Sequence, residues 1–173
     1  MQSIDVSKYN GTINNLTVNG VLTATGGVKS GYYLASASAT QTYTSNSLDV
    51  QYPTVILNSL TNLTVSGTGN TTYTYTGTTA KVWMINYSIR FQATSNAAGT
   101  FIGGSILKGG VQYGQQWYNF AQPSGTETRG ALNAFCAILM QPNESFSISV
   151  SGTTGATFSE NASTRISTLC IIG

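Results

Sequence analysis

The segment KVWMINYSIRFQA, residues 81 to 93, decides the fold class of this chain. Side chains along a β-strand point alternately to its two faces. One face of this segment carries five large apolar residues, namely Trp83, Ile85, Tyr87, Ile89 and Phe91. The opposite face carries Met84, Asn86, Ser88 and Arg90, a mixture suited to water or to a partner subunit. The pattern predicts a long strand that lines the core of an all-β sandwich.

The segment ALNAFCAILM, residues 131 to 140, is apolar on both faces. The residues of one face are Leu132, Ala134, Cys136, Ile138 and Met140, and those of the other are Ala131, Asn133, Phe135, Ala137 and Leu139. A sheet in a two-layer sandwich meets the core on one side only, so its other side needs a second cover. That cover is either a partner subunit or a loop of the same subunit.

Shorter alternating segments and turns fill the rest of the chain from residue 31. Strands are predicted after Pro53, near residues 63 to 65, in TTYTYTGTT (71 to 79) and in SFSISVSG (145 to 152). Turns are predicted at residues 108 to 110 and 142 to 144, where Gly, Pro and Asn cluster. No segment has a sustained helical period. The fold class is therefore an all-β jelly-roll sandwich of about eight to ten antiparallel strands.

The composition argues against catalysis and against nucleic-acid binding. The 173 residues fit one domain, and only 7% of them are charged. Histidine is absent, which removes the commonest general base and metal ligand. The seven basic residues are scattered rather than clustered, unlike a nucleic-acid surface. We expect no enzyme activity, no catalytic or metal site, no cofactor and no nucleic-acid partner.

Residues 1 to 30 differ from the rest of the chain. The stretch INNLTVNGVLTATGG, residues 13 to 27, contains two short alternating segments around Asn19-Gly20, a strong hairpin signal. Its apolar residues are too few to bury a core alone, and they form the candidate docking segment: Ile13, Leu16, Val18, Val21 and Leu22. We expect residues 1 to 30 to be a stalk or docking tether and residues 31 to 173 to be the head. Alternatively, the stretch supplies the first two strands of the domain.

The cysteines and the first residues of the chain give expectations about the cellular location of the protein. Cys136 and Cys170 each lie in an apolar run, as two buried thiols or as one disulfide. The start, MQSIDVSKYNG, lacks a basic segment followed by an apolar one, so a secretory signal is not expected. No apolar run reaches the roughly 18 residues of a membrane span, so no membrane insertion is expected. The seven Asn-x-Ser/Thr sequons are attributed to composition.

The order of segments in residues 31 to 173 resembles the trimeric jelly roll shared by tumour necrosis factor and the complement-type globular head. The aromatic strand VWMINYSIRFQA leads into the hairpin SILKGGVQ, and SGTETRGALNAFCAIL leads into QPNESFSISVSG. The polar loop GATFSENAS then precedes the terminal strand TRISTLCIIG. The resemblance implies a homotrimer whose inner sheets meet around a three-fold axis. It implies trimer contacts at Met84, Phe135, Leu139 and Leu169.

Aromatic residues in VQYGQQWYNFAQP, residues 111 to 123, are the one feature that suggests a ligand. Tyr113, Trp117, Tyr118 and Phe120 lie close together beside Gln and Asn, in what we expect to be a loop. Stacking rings beside amides are typical of carbohydrate-binding surfaces, and Tyr113, Trp117 and Tyr118 are the candidate ligand-facing residues. Alternatively, two of the four rings are core and the others cover the edge of the sandwich.

Together these features predict a structural virion protein, the trimeric head of a spike or fibre that acts in host attachment or capsid decoration. Its expected partners are itself, a capsid or base protein bound through the N-terminal segment, and a host surface glycan or protein. It would be assembled in the host cytoplasm and displayed on the virion surface. The alternatives are a secreted complement-type or lectin-like recognition domain, placed outside the cell, and a capsid vertex or cement protein.

Overall fold

A computed structural model of the chain describes residues 31–37, 41–44, 47–93, 100–120, 128–152, 157–159 and 166–173. All regular elements in these ranges are β-strands. The strands are β1 Tyr32–Ser36, β2 Thr42–Thr44, β3 Leu48–Asp49, β4 Thr54–Asn58, β5 Leu63–Ser66, β6 Thr72–Tyr75, β7 Lys81–Ala93, β8 Phe101–Lys108, β9 Val111–Asn119, β10 Thr128–Met140, β11 Ser145–Gly152, β12 Thr157–Ser159 and β13 Thr168–Ile172. The all-β fold class is confirmed. The described strands outnumber the expected eight to ten because β2, β3 and β12 are too short for any alternation to show.

The strands form two antiparallel sheets. The first sheet has the order β2-β12-β7-β13-β1-β4, with β10 paired to the other side of β7. The second sheet has the order β5-β6-β11-β8-β9, with β3 paired to β11. The longest pairing joins β7 to β10 over thirteen residue pairs, from Lys81 opposite Met140 to Ala93 opposite Thr128. The two long apolar segments, residues 81 to 93 and 131 to 140, are therefore neighbours in one sheet.

The core lies between the two sheets and is rich in aromatic rings. Trp83, Ile85, Tyr87, Ile89 and Phe91 are all buried there, as the alternation of β7 predicts. The Trp83 ring meets Tyr75 edge to face, with ring centroids 5.2 Å apart, and Phe146 at 6.2 Å. Burial of each such side chain stabilises the fold by about 1.5 to 3 kcal/mol. These ring contacts join the middle of the first sheet to the second sheet.

Both predicted turns are present. Gly109 and Gly110 join β8 to β9 with φ angles of 56° and 80°, a left-handed conformation that favours glycine. Asn143, in the turn between β10 and β11, has a φ of 66°. The Glu144 carboxylate accepts from the Gln141 backbone N–H and forms an ion pair with Lys108, each at 2.7 Å. Lys108 also donates to the Leu139 carbonyl at 2.6 Å, so this cluster ties the second sheet to the first.

The two cysteines are free thiols that lie on opposite faces of the first sheet. Cys136 pairs with Ile85 on the inward side of β10 and packs against the core. Cys170 pairs with Asn86 and Leu34 on the outward side of β13. Partial burial raises the pKa of the Cys170 thiol, so this cysteine is a poor nucleophile at neutral pH.

Candidate functional site

The outward side of the first sheet carries one continuous apolar surface. Residues that pair directly across an antiparallel sheet share a face, so the registers give its rows. One row crosses four strands, from Tyr32 through Ile172 and Met84 to Ala137. The row therefore places side chains from β1, β13, β7 and β10 side by side on one outer surface.

Two further sets of outward residues flank that row. Their members are Leu57, Leu34, Cys170, Asn86 and Phe135 in one row, and Val82 opposite Leu139 in the other. We call the apolar members of these rows the apolar face: Tyr32, Leu34, Leu57, Val82, Met84, Phe135, Ala137, Leu139, Cys170 and Ile172. Strand spacing and rise give this patch an area on the order of 300 Å², a size that often marks an interaction site.

Exposure confirms that the apolar face is uncovered in the single chain. Phe135 is 61% exposed, Leu139 is 50% exposed and Met84 is 40% exposed. The patch ends at a polar row of Ser36, Thr168, Ser88 and Asn133. Within the described residues, no loop of the same subunit buries these three side chains.

Leu169 does not belong to this surface, and its predicted role as a trimer contact is wrong. Its side chain is fully buried in the core, where it pairs with Tyr87 and Ala35. The terminal strand reads TLCII, with apolar residues at neighbouring positions, so its sequence does not fix which residues point inward. The register with β7 fixes this, and it turns Cys170 and Ile172 outward instead.

Six further members of the apolar face were missed from the sequence: Tyr32, Leu34, Leu57, Val82, Cys170 and Ile172. Only the pairing register assigns residues of β1, β4 and β13 to the outward side. Val82 is the exception, because it shares the predicted outward side of β7 with Met84 and could have been found from that alternation. Tyr32 and Val82 are both exposed.

The outward side of the second sheet has the opposite chemistry. Its strands β11, β8 and β6 present hydroxyl groups on alternate residues: Ser145, Ser147, Ser149, Ser151, Ser105, Thr72 and Thr74. We call this surface the hydroxyl face. Many of its hydroxyls are already bonded to a neighbour. Ser147 donates to the Asp49 carboxylate at 2.8 Å, and the hydroxyls of Ser47 and Ser149 lie 2.6 Å apart.

An open groove of about 520 Å³ lies at one end of the hydroxyl face. Ser47, Asp49 and Gln51 line one side of it, and Leu107 lines another. Leu107 pairs with Ser147 on the outward side of the second sheet, which shows that the groove opens on this face. The groove is therefore a depression next to Ser147 and Ser149, which are themselves buried and do not line it.

The predicted aromatic cluster is divided between the two sides of a strand. Residues 111 to 119 form β9, the second of the two strands predicted around the turn at residues 108 to 110, and not the loop expected for the aromatic cluster. Tyr113 and Tyr118 pair with the buried residues Ile106 and Ile102, and both pack against the core. Trp117 pairs with Gly103 and is turned outward, with 47% of its surface exposed. Among these three candidates, Trp117 alone faces outward on the hydroxyl face.

The titrating groups of the core are not set for catalysis. Burial raises the pKa of Tyr87, whose hydroxyl donates to the Gly114 carbonyl at 2.9 Å. Burial likewise raises the pKa of Tyr73, whose hydroxyl donates to the Asn70 carbonyl at 2.6 Å. Both phenols therefore stay neutral and act as structural donors. In the part of the chain that the structure describes, no three His, Cys, Asp or Glu residues are grouped to hold a metal ion.

Other expectations concern the membrane and the N-terminal segment. The described residues include no helix that is long and apolar enough to cross a membrane. The candidate docking residues Ile13, Leu16, Val18, Val21 and Leu22 lie outside the described residues. The boundary between stalk and head thus stays a prediction.

Comparison with known proteins places the fold. No family model matches the sequence, and no curated protein matches it. A crystal structure of murine APRIL at pH 8.0 matches with a TM-score of 0.59 and 8% identity, over 83% of this chain and 98% of that chain. A second structure of murine APRIL, at pH 8.5, gives a TM-score of 0.56 with 9% identity over the same shares.

The structure of Eiger TNF from S. frugiperda matches with a TM-score of 0.50 and 10% identity, over 83% of this chain and 90% of that chain. At such identities the likeness concerns the fold alone. The chain has a jelly roll like that of tumour necrosis factor, which confirms the fold that the order of segments implied. Its outer surfaces define it further, as a jelly roll with one apolar and one hydroxyl-rich sheet face.

Proposed function

We propose that this chain is the head of a homotrimeric virion spike or fibre, without enzyme activity, and that the apolar face is buried between subunits. The observation that carries the proposal is the continuous apolar face itself, because a contiguous exposed patch of this kind often marks an interaction site. A three-fold assembly is the one implied by the resemblance to the tumour necrosis factor jelly roll. The low charge of the chain adds little repulsion to such an assembly.

The energy available from the apolar face is sufficient for a stable assembly. Full burial of a large apolar side chain contributes about 1.5 to 3 kcal/mol, and the face offers several such side chains on each subunit. The cost of association is of the order of 4 to 15 kcal/mol, so a few well-packed residues decide the outcome. Phe135 and Leu139, the most exposed pair of β10 on this face, are the expected anchors.

The position of Asn86 supports assembly away from the secretory pathway. Asn86, Tyr87 and Ser88 form a sequon, and the exposed Asn86 side chain lies between Cys170 and Phe135 in the middle of the apolar face. An N-linked glycan at this point is too bulky to be buried between subunits. A trimer formed through the apolar face is therefore compatible with assembly in a host cytoplasm, as expected for a virion component.

Composition supports the virion setting further. A surface built from Thr, Ser, Asn and Gly with 7% charged residues suits a particle component that makes many neutral contacts. The N-terminal segment would dock on a capsid or base protein through Ile13, Leu16, Val18, Val21 and Leu22. The head would then project outward and meet the host surface.

The solution mass of the protein tests the assembly. Light scattering at micromolar concentration should give three times the chain mass of 18.2 kDa. A monomer under these conditions would contradict the proposal. The same measurement on a chain that lacks residues 1 to 30 should again give a trimer, since the contacts lie in the head.

Particle binding tests the role of the N-terminal segment. The chain that lacks residues 1 to 30 should remain folded and trimeric but no longer attach to its carrier particle. If that deletion unfolds the head, the segment belongs to the domain and the stalk is excluded. Electron microscopy of particles that bear the full chain should show a projecting knob, whereas a flat tile would indicate a vertex or cement protein.

A further inference from the structure

Strand β4 forms an open edge of the first sheet. It comes last in the strand order and, among the described strands, pairs with β1 alone. The pairing runs from Thr54 opposite Ser36 to Asn58 opposite Tyr33, and the register shifts at Ile56. The backbone groups on the other edge of β4 therefore have no strand partner within the described residues. A row of such groups is a template on which a further strand can pair.

The side chains of β4 make this edge apolar as well as open. All five residues are exposed, and Val55, Ile56 and Leu57 keep 46%, 58% and 49% of their surface open to solvent. Natural edge strands are usually protected by charged side chains, by proline or by a bulge. β4 contains no charged residue, and it has only Pro53 before it and the register shift at Ile56. Its composition therefore favours a covered edge over one left in water.

The chain enters the first sheet beside the end of β4. Gly31 precedes β1, and its N–H donates to the Gly173 carbonyl at 2.8 Å. Tyr32 is bonded twice to the residue that follows β4: the Ser59 N–H donates to the Tyr32 carbonyl at 2.7 Å, and the Tyr32 N–H donates to the Ser59 hydroxyl at 2.8 Å. A cavity of about 270 Å³, whose lining includes Gly31, Ser59 and Leu60, leaves room for a turn at this corner. The chain before Gly31 thus starts about one strand spacing, roughly 4.8 Å, from the end of β4.

The sequence shortly before Gly31 suits this edge in length and in chemistry. Residues 21 to 25, VLTAT, match the five residues of β4 in number and carry no charge. Valine and threonine are favoured in strands. The segment lies between the hairpin signal Asn19-Gly20 and the glycine pair at residues 26 and 27. An isolated two-stranded hairpin is only marginally stable in water, so these residues need the edge of a larger sheet.

The link formed by residues 26 to 30 indicates which segment covers β4, and in which direction. A strand on the open edge of β4 lies two strand spacings, roughly 10 Å, from β1. Five residues cross that distance with slack at the Asn58 end of β4, whereas the Thr54 end lies roughly 16 Å away and needs a largely extended link without a turn. The short link therefore favours a strand parallel to β4. It also holds this segment at a higher local concentration than a separate protein would reach.

We propose that residues 21 to 25 pair with the open edge of β4 as a parallel strand, so that the N-terminal segment of the chain completes its own first sheet. The inference goes beyond the proposed function, because it requires neither the trimer nor a carrier particle. Residues 13 to 18 lie outside this pairing and remain available to a carrier.

Hydrogen exchange of the full chain, followed by mass spectrometry, tests the pairing. Neighbouring N–H groups of a strand point to opposite edges, so either Leu22→Pro or Thr23→Pro removes a bond to β4. In at least one of these variants, residues 54 to 58 should exchange about tenfold faster than in the parent. Val6→Pro, an apolar-to-proline change outside the alternating stretch, should leave this exchange unchanged. Strand β5, which ends the second sheet, should exchange alike in all four chains.

A direct measurement accompanies the variants. Nuclear Overhauser contacts between the backbone of residues 21 to 25 and that of residues 54 to 58 are expected in the labelled full chain, in a parallel pattern. Absence of these contacts, or equal exchange of β4 in the parent and both proline variants, overturns the pairing. Exchange of β4 that slows only as the protein concentration rises would show that a second copy covers the edge, which also overturns it.

Light scattering on the same samples separates this inference from the proposed function. The proline variants should keep the mass of the parent, because the proposed trimer contacts lie on the apolar face. A trimer with an unprotected β4 removes only the pairing, and a monomer with a protected β4 removes only the trimer.

Discussion

The two outer sheet faces of this molecule are built on the same scaffold and differ in almost every chemical respect. On the first sheet, alternate outward positions carry Met, Phe, Leu and Ile, and the patch is interrupted by Asn86 alone in its central rows. On the second sheet, most of the corresponding positions of β11, β8 and β6 carry Ser or Thr, with Phe101, Leu107 and the exposed Trp117 among them. The inward sides of both sheets are equally apolar. The difference therefore concerns what each surface meets and not how the sandwich folds.

This contrast teaches that a strand with two apolar sides indicates different surroundings from a strand with one. A strand with one apolar side packs on the core alone, whereas the second apolar side of the other faces away from that core. In β11, Phe146, Ile148 and Val150 point into the core, whereas the outward Ser147 and Ser149 are buried and hydrogen-bonded to Asp49 and Ser47. In β10 the second apolar side has no core to enter. An apolar side of this kind that stays exposed often marks an interaction site.

The largest effect is expected from Phe135→Asp, which places a charge in the centre of the apolar face. A buried unpaired carboxylate at an interface costs several kcal/mol, so the trimer should dissociate to monomers at micromolar concentration. Light scattering measures the mass, and circular dichroism should show a β-spectrum unchanged from that of the parent. Trp117→Asp, an equal change on the hydroxyl face, should leave the mass at that of the trimer. If both variants remain trimeric, the apolar face is not the interface.

The next effect concerns Asn86, the one polar residue of the central rows. When the chain is directed through a eukaryotic secretory pathway, a glycan attached at Asn86 should block the apolar face and yield monomers. Asn86→Gln keeps the side-chain amide, removes the acceptor and should restore the trimer. Mass spectrometry identifies the modified site and light scattering gives the assembly state. A trimer that carries a glycan at Asn86 would show that subunits meet elsewhere.

A smaller effect is expected from Gly103→Ala on the opposite face. The added methyl group meets the Trp117 ring, which lies at the surface and can swing away, so the cost to the free energy of unfolding should stay near 1 kcal/mol. The indole N–H signal of Trp117 should nevertheless move, because the ring can no longer lie against residue 103. Ser105→Ala, on the same strand face, is the control. An unshifted signal would contradict the stacked geometry.

The smallest effect concerns the ion pair that joins the two sheets. The bond from Lys108 and the Gln141 N–H lower the pKa of Glu144 below its ordinary value. Since the folded-state pKa is the lower one, the contribution of Glu144 is present above about pH 4.3 and is lost as the pH falls below it. Glu144→Gln should therefore unfold more easily near pH 6 but approach the parent in acid. Thermal melts at both pH values measure this, and a constant difference would contradict it.

Some parts of this architecture follow from the sequence directly. The alternation in residues 81 to 93 assigned the inward residues of β7, and all five are buried. The same reasoning placed Phe135 and Leu139 on the outward side of β10, where they are exposed. The glycine pair at residues 109 and 110 gave the β8–β9 turn. These features depend on period and on backbone preference, which are local properties.

Other features of the architecture depend on pairing between strands that are distant in the sequence. From its sequence, the strand TLCII could point either set of alternate residues to the core. Only its hydrogen-bonded register with β7 buries Leu169 and turns Cys170 outward. Tyr113, Trp117 and Tyr118 look like one cluster in the sequence, yet a register shift beside Gly104 and the alternation of β9 divide them between core and surface. The Trp117 ring lies flat because Gly103, fourteen residues earlier in the chain, lies beneath it.

By itself, then, the amino-acid sequence determined that this protein is an all-β sandwich, which strand faces are apolar, and that one of its strands needs a second cover. Periodicity and composition carry that information because each side chain of a strand points either to the core or to the outer side of its sheet. The tertiary structure alone decided that outward residues of five strands merge into the apolar face. It also decided that Trp117 lies flat against Gly103 and beside Phe101 on the other side. Both outcomes depend on strand register, and register is a relation between distant segments that is fixed only when the sheets close over their common core.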